Sequence, residues 1–506
     1  MKLKIIILVL FLLFPSVLWS ACVSDGDDWV STPDYASVAS CISQADYGDT
    51  ITVSAGDGTE TWSSGVTINK NIHIIGPGMD NLTILQNTSS TLINYLQDAT
   101  AKTNEDSNEF FRFSGFTIDS NNVGQAFTIR REGTSWKNPN YPVGKFRIDN
   151  VRIIDGGGSY GIHIDNGSRG VFDNCIFVNG IKTARLEGRY WFGRDVEGET
   201  FVPADSASST ANGIYFEDCT FSNTETEANI ISSQDGHPGW VIRFSTINIT
   251  SYIDSTFDIH GSNNAVVDYS ICPPEAYRPG CDEVIPDEDD DCCSGGRSVG
   301  SVEFYNNEIT GSGSVDKFLD QRGEIAIVFG NEFASGFGVG NDGYADKFFQ
   351  IRSRSSSSWC RTNGCDQVNN SYYFDNTQNS VPLSDPYAYE YWNAQPDYGY
   401  DLYPDVDFWT YVALGSFDGT TGVTQGTNAQ MLSTQSGDGC TEGVGFHVTD
   451  LGTWNTEGAD GQLWVCNGSN TYVLFYEPYT YPHPLRDEVA STIIKKIMNY
   501  FRRLRG

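Results

Sequence analysis

Arg147–Ile153 reads RIDNVRI, and 24 residues later Val171–Phe177 reads VFDNCIF, so that Asp149 falls on Asp173 and Asn150 on Asn174. The same spacing returns downstream: VEFYNNEI (302–309) lies over AIVFGNEF (326–333), with Asn307 on Asn331 and Glu308 on Glu332. A β-rich unit of fixed period, broken each time by an Asn, marks a solenoid. At about 3.3 Å of rise per residue, a period of this length makes a three-sided coil with short turns. Coils then stack strand on strand, and the expected fold is all-β: a right-handed parallel β-helix, a single-stranded solenoid. Asn at the corner has a physical reason, because it tolerates the left-handed backbone that a sharp bend between strands requires. Stacked Asn amides can also bond one another along the axis. Alternate apolar residues such as Phe172 and Phe177 fill the inside. Cys175 and Cys219, at equivalent places in FDNCIF and FEDCTF, read as small buried side chains rather than reactive thiols.

Working outward, longer spacings mark insertions in single coils. Asn174 to Asp218 is 44 residues, one coil plus the loop 181–210; Asn331 to Asn376 is 45, absorbing SRSSSSWCRTNGCDQ (353–367). A solenoid needs covered ends. Tyr35, Val38, Cys41 and Ile42 fall on one face of a short helix that covers the first coil, and INKNIHIIGPG (68–78) reads as an opening turn. The β-helix is expected over 21–410. Residues 411–486 lose the rhythm and form a small Tyr-, Trp- and Gly-rich β cap. Cys440 and Cys466 hold this cap, and its YPHPL end lies along the solenoid; a carbohydrate-binding appendage is the alternative. Residues 487–506 form a basic amphipathic helix, with Val489, Ile493, Ile497 and Phe501 opposed by Lys495, Arg502 and Arg503. It docks on the acidic body of the chain, or on an anionic membrane or partner.

Residues 1–20 read as a secretory signal peptide: Lys2 and Lys4, an apolar run from Ile5 to Phe14, then small and polar residues to Ala21. Cleavage is expected after Ser20 or Ala21, which places the mature chain outside the cell or in a periplasm. A lipoprotein acylated at Cys22 is the competing reading, and it would want an aliphatic residue where Trp19 stands. No other segment has the length and apolarity of a membrane span. Twelve cysteines fit an oxidising compartment. Cys22/Cys41, Cys360/Cys365 and Cys440/Cys466 read as loop staples. Cys272, Cys281, Cys292 and Cys293 bracket DEVIPDEDDD; a zinc site competes there, but export and the lack of His favour disulfides. A net charge of −34 excludes nucleic acid, whose phosphates it repels, and suits solubility outside the cell. So many acids leave room for Ca²⁺, although no ordered ligand spacing such as an EF-hand loop occurs; no other cofactor is called for.

CISQADYGDTITVSAG (41–56), GVTINKNIHIIGPG (65–78) and the coil pattern resemble secreted bacterial β-helix proteins of the pectin-lyase-like superfamily. DGQLWVC (460–466) and YEPYTYPHPLR (476–486) look like a subgroup that ends in a TYPHPL segment. The resemblance covers nearly all of the expected mature chain and implies fold and export. It does not imply an activity, because such solenoids serve lyases, hydrolases, epimerases and adhesins alike.

One stripe has the residues for chemistry. Arg322 in DKFLDQRG (316–323) lies nine residues before Asn331, and DKFFQIRS (346–353) sets Arg352 over Arg322 and Gln350 over Asp320. FDIHG (257–261) sets His260 over Arg322 and Asp258 over Asp320. The same offset from Asn174 reaches Asp165, with His163 two residues before it, and Arg130 in FTIRR takes the corresponding strand. Residues i and i+2 of a strand share a face, so these pairs form a ladder along one sheet, a cleft for a linear extracellular polysaccharide. The plain alternative is a wet face whose charges stack across strands. Loop 181–210 adds Arg189, Tyr190, Trp191 and Arg194, whose rings and guanidinia suit sugar faces and carboxylates; equally, such aromatics fold their own loop.

For β-elimination from a uronide, Arg322 and Arg352 neutralise the carboxylate while His260 is the base, oriented by Asp258. Hydrolysis needs two carboxylates about 5–10 Å apart, for which Asp258 and Asp320, or Asp165 with either, are candidates. The competing functions are a non-catalytic adhesin or structural rod and a glycan-binding module that does not cleave.

Overall fold

In a computed structural model of the chain, residues 22–26, 28–97, 110–131, 145–154, 161–165, 169–179, 182–187, 213–223, 229–234, 240–259, 301–321, 325–335, 338–339, 348–353, 368, 370–383, 387–390, 402–437, 439–455 and 461–486 are described. The 24-residue repeats are adjacent coils. Arg147 pairs with Val171 and Arg152 with Ile176, while Glu303 pairs with Ile327 and Glu308 with Glu332, all in parallel. Each full coil supplies three strands, and the chain is a parallel β-helix.

The first face runs from Thr50–Val53 through Arg169–Asp173, Ile214–Glu217 and Ser301–Tyr305 to Phe408–Thr410. The second follows directly and includes Ile176–Val178, Thr220–Asn223 and Glu308–Thr310. The third, a separate eleven-stranded sheet, includes Phe127–Arg131, Ile162–Asp165, Ile253–Ile259, Ser314–Gln321 and Phe349–Ser353.

One residue turns the first face into the second, and it sits in the left-handed region: Asn150, Asn174, Asp218, Phe244, Asn306, Gly330 and Asp375 all have φ between 52° and 65°. Here the sequence alignment needs correcting. Asn150 and Asn174 are corners, but Asn307 and Asn331 follow the corner by one residue and turn inward. The inward position is a column of its own, Val151–Cys175–Cys219–Ser245–Asn307–Asn331–Asn376, and its polar side chains mend the backbone that the corner breaks. Asn307 donates to the Ile242 carbonyl (2.9 Å) and to Asn331 Oδ1 (3.0 Å), and Asn331 donates to the Phe304 carbonyl (2.9 Å) and to Asn376 Oδ1 (2.8 Å). The same oxygens accept backbone N–H groups: Asn307 N–H bonds Asn331 Oδ1, and Ser245 N–H bonds Asn307 Oδ1, each at 3.0 Å. The two thiols do the same work more weakly, Cys175 against the Ile148 carbonyl (3.3 Å) and Cys219 against that of Phe172 (3.4 Å). Both are buried and unbridged, as expected.

Register also stacks like on like inside the coil. Phe172 lies flat on Phe216 (centroids 4.8 Å apart) and Phe177 on Phe221 (4.9 Å), within the range where offset rings attract. At the N-terminal end, helix Tyr35–Gln44 is started by Asp34, which accepts the Ser37 N–H at 3.0 Å. It buries Val38, Cys41 and Ile42, with Tyr35 half-buried against Trp62, and the Cys22–Cys41 disulfide ties it down.

The coil rhythm stops after Phe408–Thr410. Val423–Gly426, Gly445–Val448, Gln462–Asn467 and Thr471–Tyr476 form a four-stranded sheet, with a disulfide between Cys440 and Cys466. This cap packs on the outside of the first face. Tyr215, Val241, Tyr305, Ile327, Phe329, Tyr372 and Phe374 face outward from the coils and are buried with Trp454, Leu463, Val465 and Tyr476 of the cap. Strands covered on both faces carry apolar residues at consecutive positions, and YYF (372–374) and IVF (327–329) are such runs. Among the described residues no helix is long and apolar enough to cross a membrane.

Replacing Asn331 by Ala orphans buried groups on both neighbouring coils, each costing ~1–3 kcal/mol. Urea unfolding of N331A is expected to show a loss of about 2–4 kcal/mol with little change in m-value; a loss below ~0.5 kcal/mol would show that the ladder does not carry the corner.

Candidate functional site

The third face holds the stripe read from the sequence, and register decides its membership. One column runs Thr67, Asn94, Thr128, His163, Arg185, Ser232, Asp258, Asp320, Gln350, Tyr387. Neighbouring members are one strand apart, about 4.8 Å. Flanking residues such as Ile162, Ile164, Leu319 and Ile351 belong to the inner core, so His163, Asp320 and Gln350 lie on the outward side of the sheet. Two residues further on, Arg130 pairs with Leu96, Asp165 with Glu187, and Arg352 with Tyr389. Backbone register therefore places His163, Asp258 and Asp320 in one row, with Arg130, Asp165 and Arg352 at the next outward positions of their strands. His260, Arg322, Arg189, Tyr190, Trp191 and Arg194 lie outside the described residues.

Exposure along the column is uneven. Arg130 is exposed and His163 half-buried. Thr128 is bonded to the Thr91 hydroxyl at 2.8 Å. Asp320 and Gln350, by contrast, are 0% exposed, which departs from the uniformly open groove that the sequence suggested. Next to Asp320 on the chain, Gln321 turns inward, accepting from the Tyr373 hydroxyl (2.5 Å) and donating to Ser371 Oγ (3.0 Å). This end of the face is thus polar within as well as without.

A second concentration of charge was not anticipated. On the outside of the first face, Asp149, Asp173, Glu217, Arg243, Tyr305, Phe329 and Phe374 form a single column. Its aromatic end lies under the cap. Its charged end lies under the last described segment, residues 477–486, which runs back toward the N-terminal coils as a strap.

Arg112 clamps Asp149 with Nε at 2.6 Å and Nη2 at 2.8 Å, and Arg147 clamps Asp173 at 2.9 and 3.1 Å. Arg243, 0% exposed, donates to Glu217 (3.0 Å), to the Tyr305 hydroxyl (2.7 Å) and to the strap carbonyls of Tyr479 (2.7 Å) and Thr480 (2.9 Å). Arg486 of the strap returns the contact to Glu217 (2.9 Å) and Asp218 (2.6 Å), and Arg147 reaches the Leu485 and Arg486 carbonyls, each at 3.2 Å.

These environments move the carboxyls in different directions. Burial alone would raise Glu217, but Arg243, with Arg486 and the backbone N–H of His483 bonded to its carboxylate, holds it below its ordinary value. Asp149 is likewise buried and brought down by Arg112 and Arg147. For Asp173 burial wins over Arg147, and its carboxyl is pushed up. With every guanidinium answered by a carboxylate or a strap carbonyl, the seam is committed to holding the strap. The sequence signal for it was the outward Arg and Asp of RIDN (147–150) and the apolar outward positions that follow in later coils. Among the described residues, no group of three or more His, Cys, Asp or Glu side chains could hold a metal ion; the acidic insert 282–291 lies outside them.

No family model matches the chain, and no curated protein matches it. Among solved structures it is similar to the mannuronan C-5 epimerase AlgE4 A-module of Azotobacter vinelandii, at 10% identity and a TM-score of 0.25 over 73% of this chain and 98% of that one. At that score the likeness carries no argument about this chain, and the β-helix rests on the strand register described above.

Removing one partner of a buried ion pair leaves an uncompensated charge, whereas replacing both by apolar side chains of similar size does not. Glu217→Ala is expected to cost about 3–5 kcal/mol in thermal or urea unfolding. The double replacement E217M/R243M should recover at least half of that loss; equal losses in both would show that the charges themselves hold the strap.

Proposed function

We propose that the chain is an exported, polysaccharide-acting protein that lays a linear glycan along its third face. The observation that supports the reading is the backbone register of that face, which gives Thr128, His163, Arg185, Asp258 and Asp320 the same register position. A polymer running parallel to the solenoid axis meets a new polar group at every coil. The right-handed sense of the coil, the signal peptide over 1–20 and membership of the pectin-lyase-like superfamily belong to the same reading, as does the placing of His260, Arg322 and the loop residues Arg189, Tyr190, Trp191 and Arg194 beside the column.

Two chemistries fit these residue types. Column positions 258 and 320 are on adjacent strands, and that spacing, about 4.8 Å, is close to the ~5–5.5 Å between the carboxyls of a retaining glycosidase. One carboxyl would protonate the glycosidic oxygen while the other attacks or shields the anomeric carbon. In β-elimination, arginines pair with the uronate carboxylate, His260 removes the C5 proton, and the leaving oxygen takes a proton as the unsaturated sugar forms. The full burial of Asp320 and Gln350 favours a second reading, in which that end of the column is structural and the protein binds glycan at the open end, around Arg130 and His163, without cleaving it.

The deciding experiment incubates the purified full-length chain with neutral, uronic and sulfated polysaccharides, with and without Ca²⁺, following reducing ends and the ultraviolet absorbance of unsaturated uronides together. Both signals indicate a lyase and reducing ends alone a hydrolase. For a hydrolase Asp320→Asn, and for a lyase His260→Ala, is expected to lower kcat/KM by ~100-fold or more with folding intact. Glycan binding without cleavage, weakened by Arg130→Ala or His163→Ala and untouched by Asp320→Asn, would select the second reading. No binding or turnover on any polymer would overturn both.

A further inference from the structure

The strap ends in an imidazole with an unusual set of neighbours. His483 is 3% exposed. Its Nδ1 accepts the backbone N–H of Leu485 at 3.2 Å, its own backbone N–H donates to Glu217 Oε2 at 3.1 Å, and its carbonyl accepts the Arg486 N–H at 2.8 Å. A ring nitrogen that accepts a hydrogen bond carries no proton, so the neutral ring is fixed as the Nε2–H tautomer. That Nε2 is buried and has no hydrogen-bond partner.

The charged groups acting on the ring are Glu217 from the strand Ile214–Glu217, Arg147 from an earlier coil, Arg243 from the next and Arg486 of the strap, with Asp218 bonded to Arg486 and Asp173 to Arg147 beside them. Tyr215 lies against it at 4.7 Å and Tyr479 of the strap at 5.4 Å, with Tyr481 and Arg486 completing the strap side. The carboxylates Asp149, Asp173, Glu217 and Asp218 are matched by Arg112, Arg147, Arg243 and Arg486, a balance that holds only while the imidazole is neutral.

We propose that His483 is an acid-sensitive catch: protonation of its Nδ1 breaks the bond from Leu485, adds an unmatched cation to the seam and releases residues 477–486 from the first face. Nδ1 is the only nitrogen left to accept a proton, and doing so turns an acceptor into a donor aimed at another donor. Burial, reinforced by Arg243, Arg486 and Arg147 and opposed by Glu217, lowers the group to about 3 in the docked strap.

The sign follows from linkage. A group whose docked value lies below its free value, ~6.5 for His, gives stability that is full above ~6.5 and is lost progressively as pH falls toward the docked value. Glu217 and Asp149, held low, work in the same direction but only below the ordinary carboxylate range, while the raised Asp173 works in the opposite one. Between about pH 6.5 and 4.5 the imidazole is therefore the group that titrates against docking. Release uncovers Arg147, Asp173, Glu217 and Arg243 together.

Hydrogen exchange on the full-length chain between neutral pH and about 4.5 reads this directly. Protection of the strap amides of Tyr481, His483, Leu485 and Arg486 is expected to fall roughly tenfold per pH unit, while amides of the strand Ile214–Glu217 keep theirs. His483→Asn, whose Oδ1 preserves an acceptor for Leu485 without a titrating site, should flatten that slope. Should the variant fail to dock its strap, nitrogen-15 NMR of the wild-type imidazole stands in. It must show the Nε2–H tautomer and a neutral ring while the strap is protected. A ring that titrates near its free value with strap protection unchanged, an Nδ1–H tautomer, or strap and coil amides losing protection together would each overturn the catch.

Discussion

A residue in the left-handed region ends one strand and starts the next, so the N–H of the residue after it and the C=O two residues before it leave the ladder, and in a solenoid that break recurs at the same place in every coil. The described coils depend on how it is mended. The side chain after the corner reaches across to a neighbouring coil, accepting the N–H and supplying a donor to the carbonyl that the bend has left behind. Asn does both at once with one rigid amide, and Asn307, Asn331 and Asn376 form the continuous part of the ladder. Ser245, Cys219 and Cys175 offer less, and there the stacked ring pairs Phe172–Phe216 and Phe177–Phe221 add to the cohesion. Because each amide needs its neighbour at one strand spacing, the corner also fixes the register of the columns that leave it.

That dependence explains what could be read from sequence. Recurring segments are enough to set strand over strand, so Asp258 over Asp320 over Gln350 followed from laying FDIHG, DKFLDQRG and DKFFQIRS on one another, and the backbone register has the same order. Counting could not separate the corner from the residue after it. DN in RIDN and NN in FYNN place Asn at different steps of the same bend, and only φ distinguishes them. It also could not report burial. An outward Asp is exposed or hidden according to what crosses it, and that depends on contacts far apart in the chain; Asp320 carries no mark of its burial in its own heptapeptide.

The first face shows the same limit from the other side. Nothing in the sequence around Arg147, Asp173, Glu217 and Arg243 marks them as covered, since charged side chains are mostly exposed. The partners that dry them, Tyr479 to Arg486, are more than two hundred residues away from Arg243 and Glu217. The apolar runs YYF and IVF did signal a covered face, yet the identity of the cover is a tertiary fact. The distinction matters for the site. Charged residues lie on both faces, and their hydrogen bonds separate a seam committed to its own chain from a third face on which Arg130 is exposed.

The strap also orders events in time. A chain synthesised or exported from its N-terminus can wind coils as they emerge, each templating the next through local contacts, with little loop-closure entropy to overcome. The first face is different, since its cover lies C-terminal to every coil that it packs on. Until it docks, a row of aromatic rings and paired charges on an otherwise finished rod stands open to water and to other chains, which is the kind of surface that drives association between partly folded molecules. The cap closes the aromatic end of that row and residues 477–486 its charged end, and both can do so only once the coils they cover have formed.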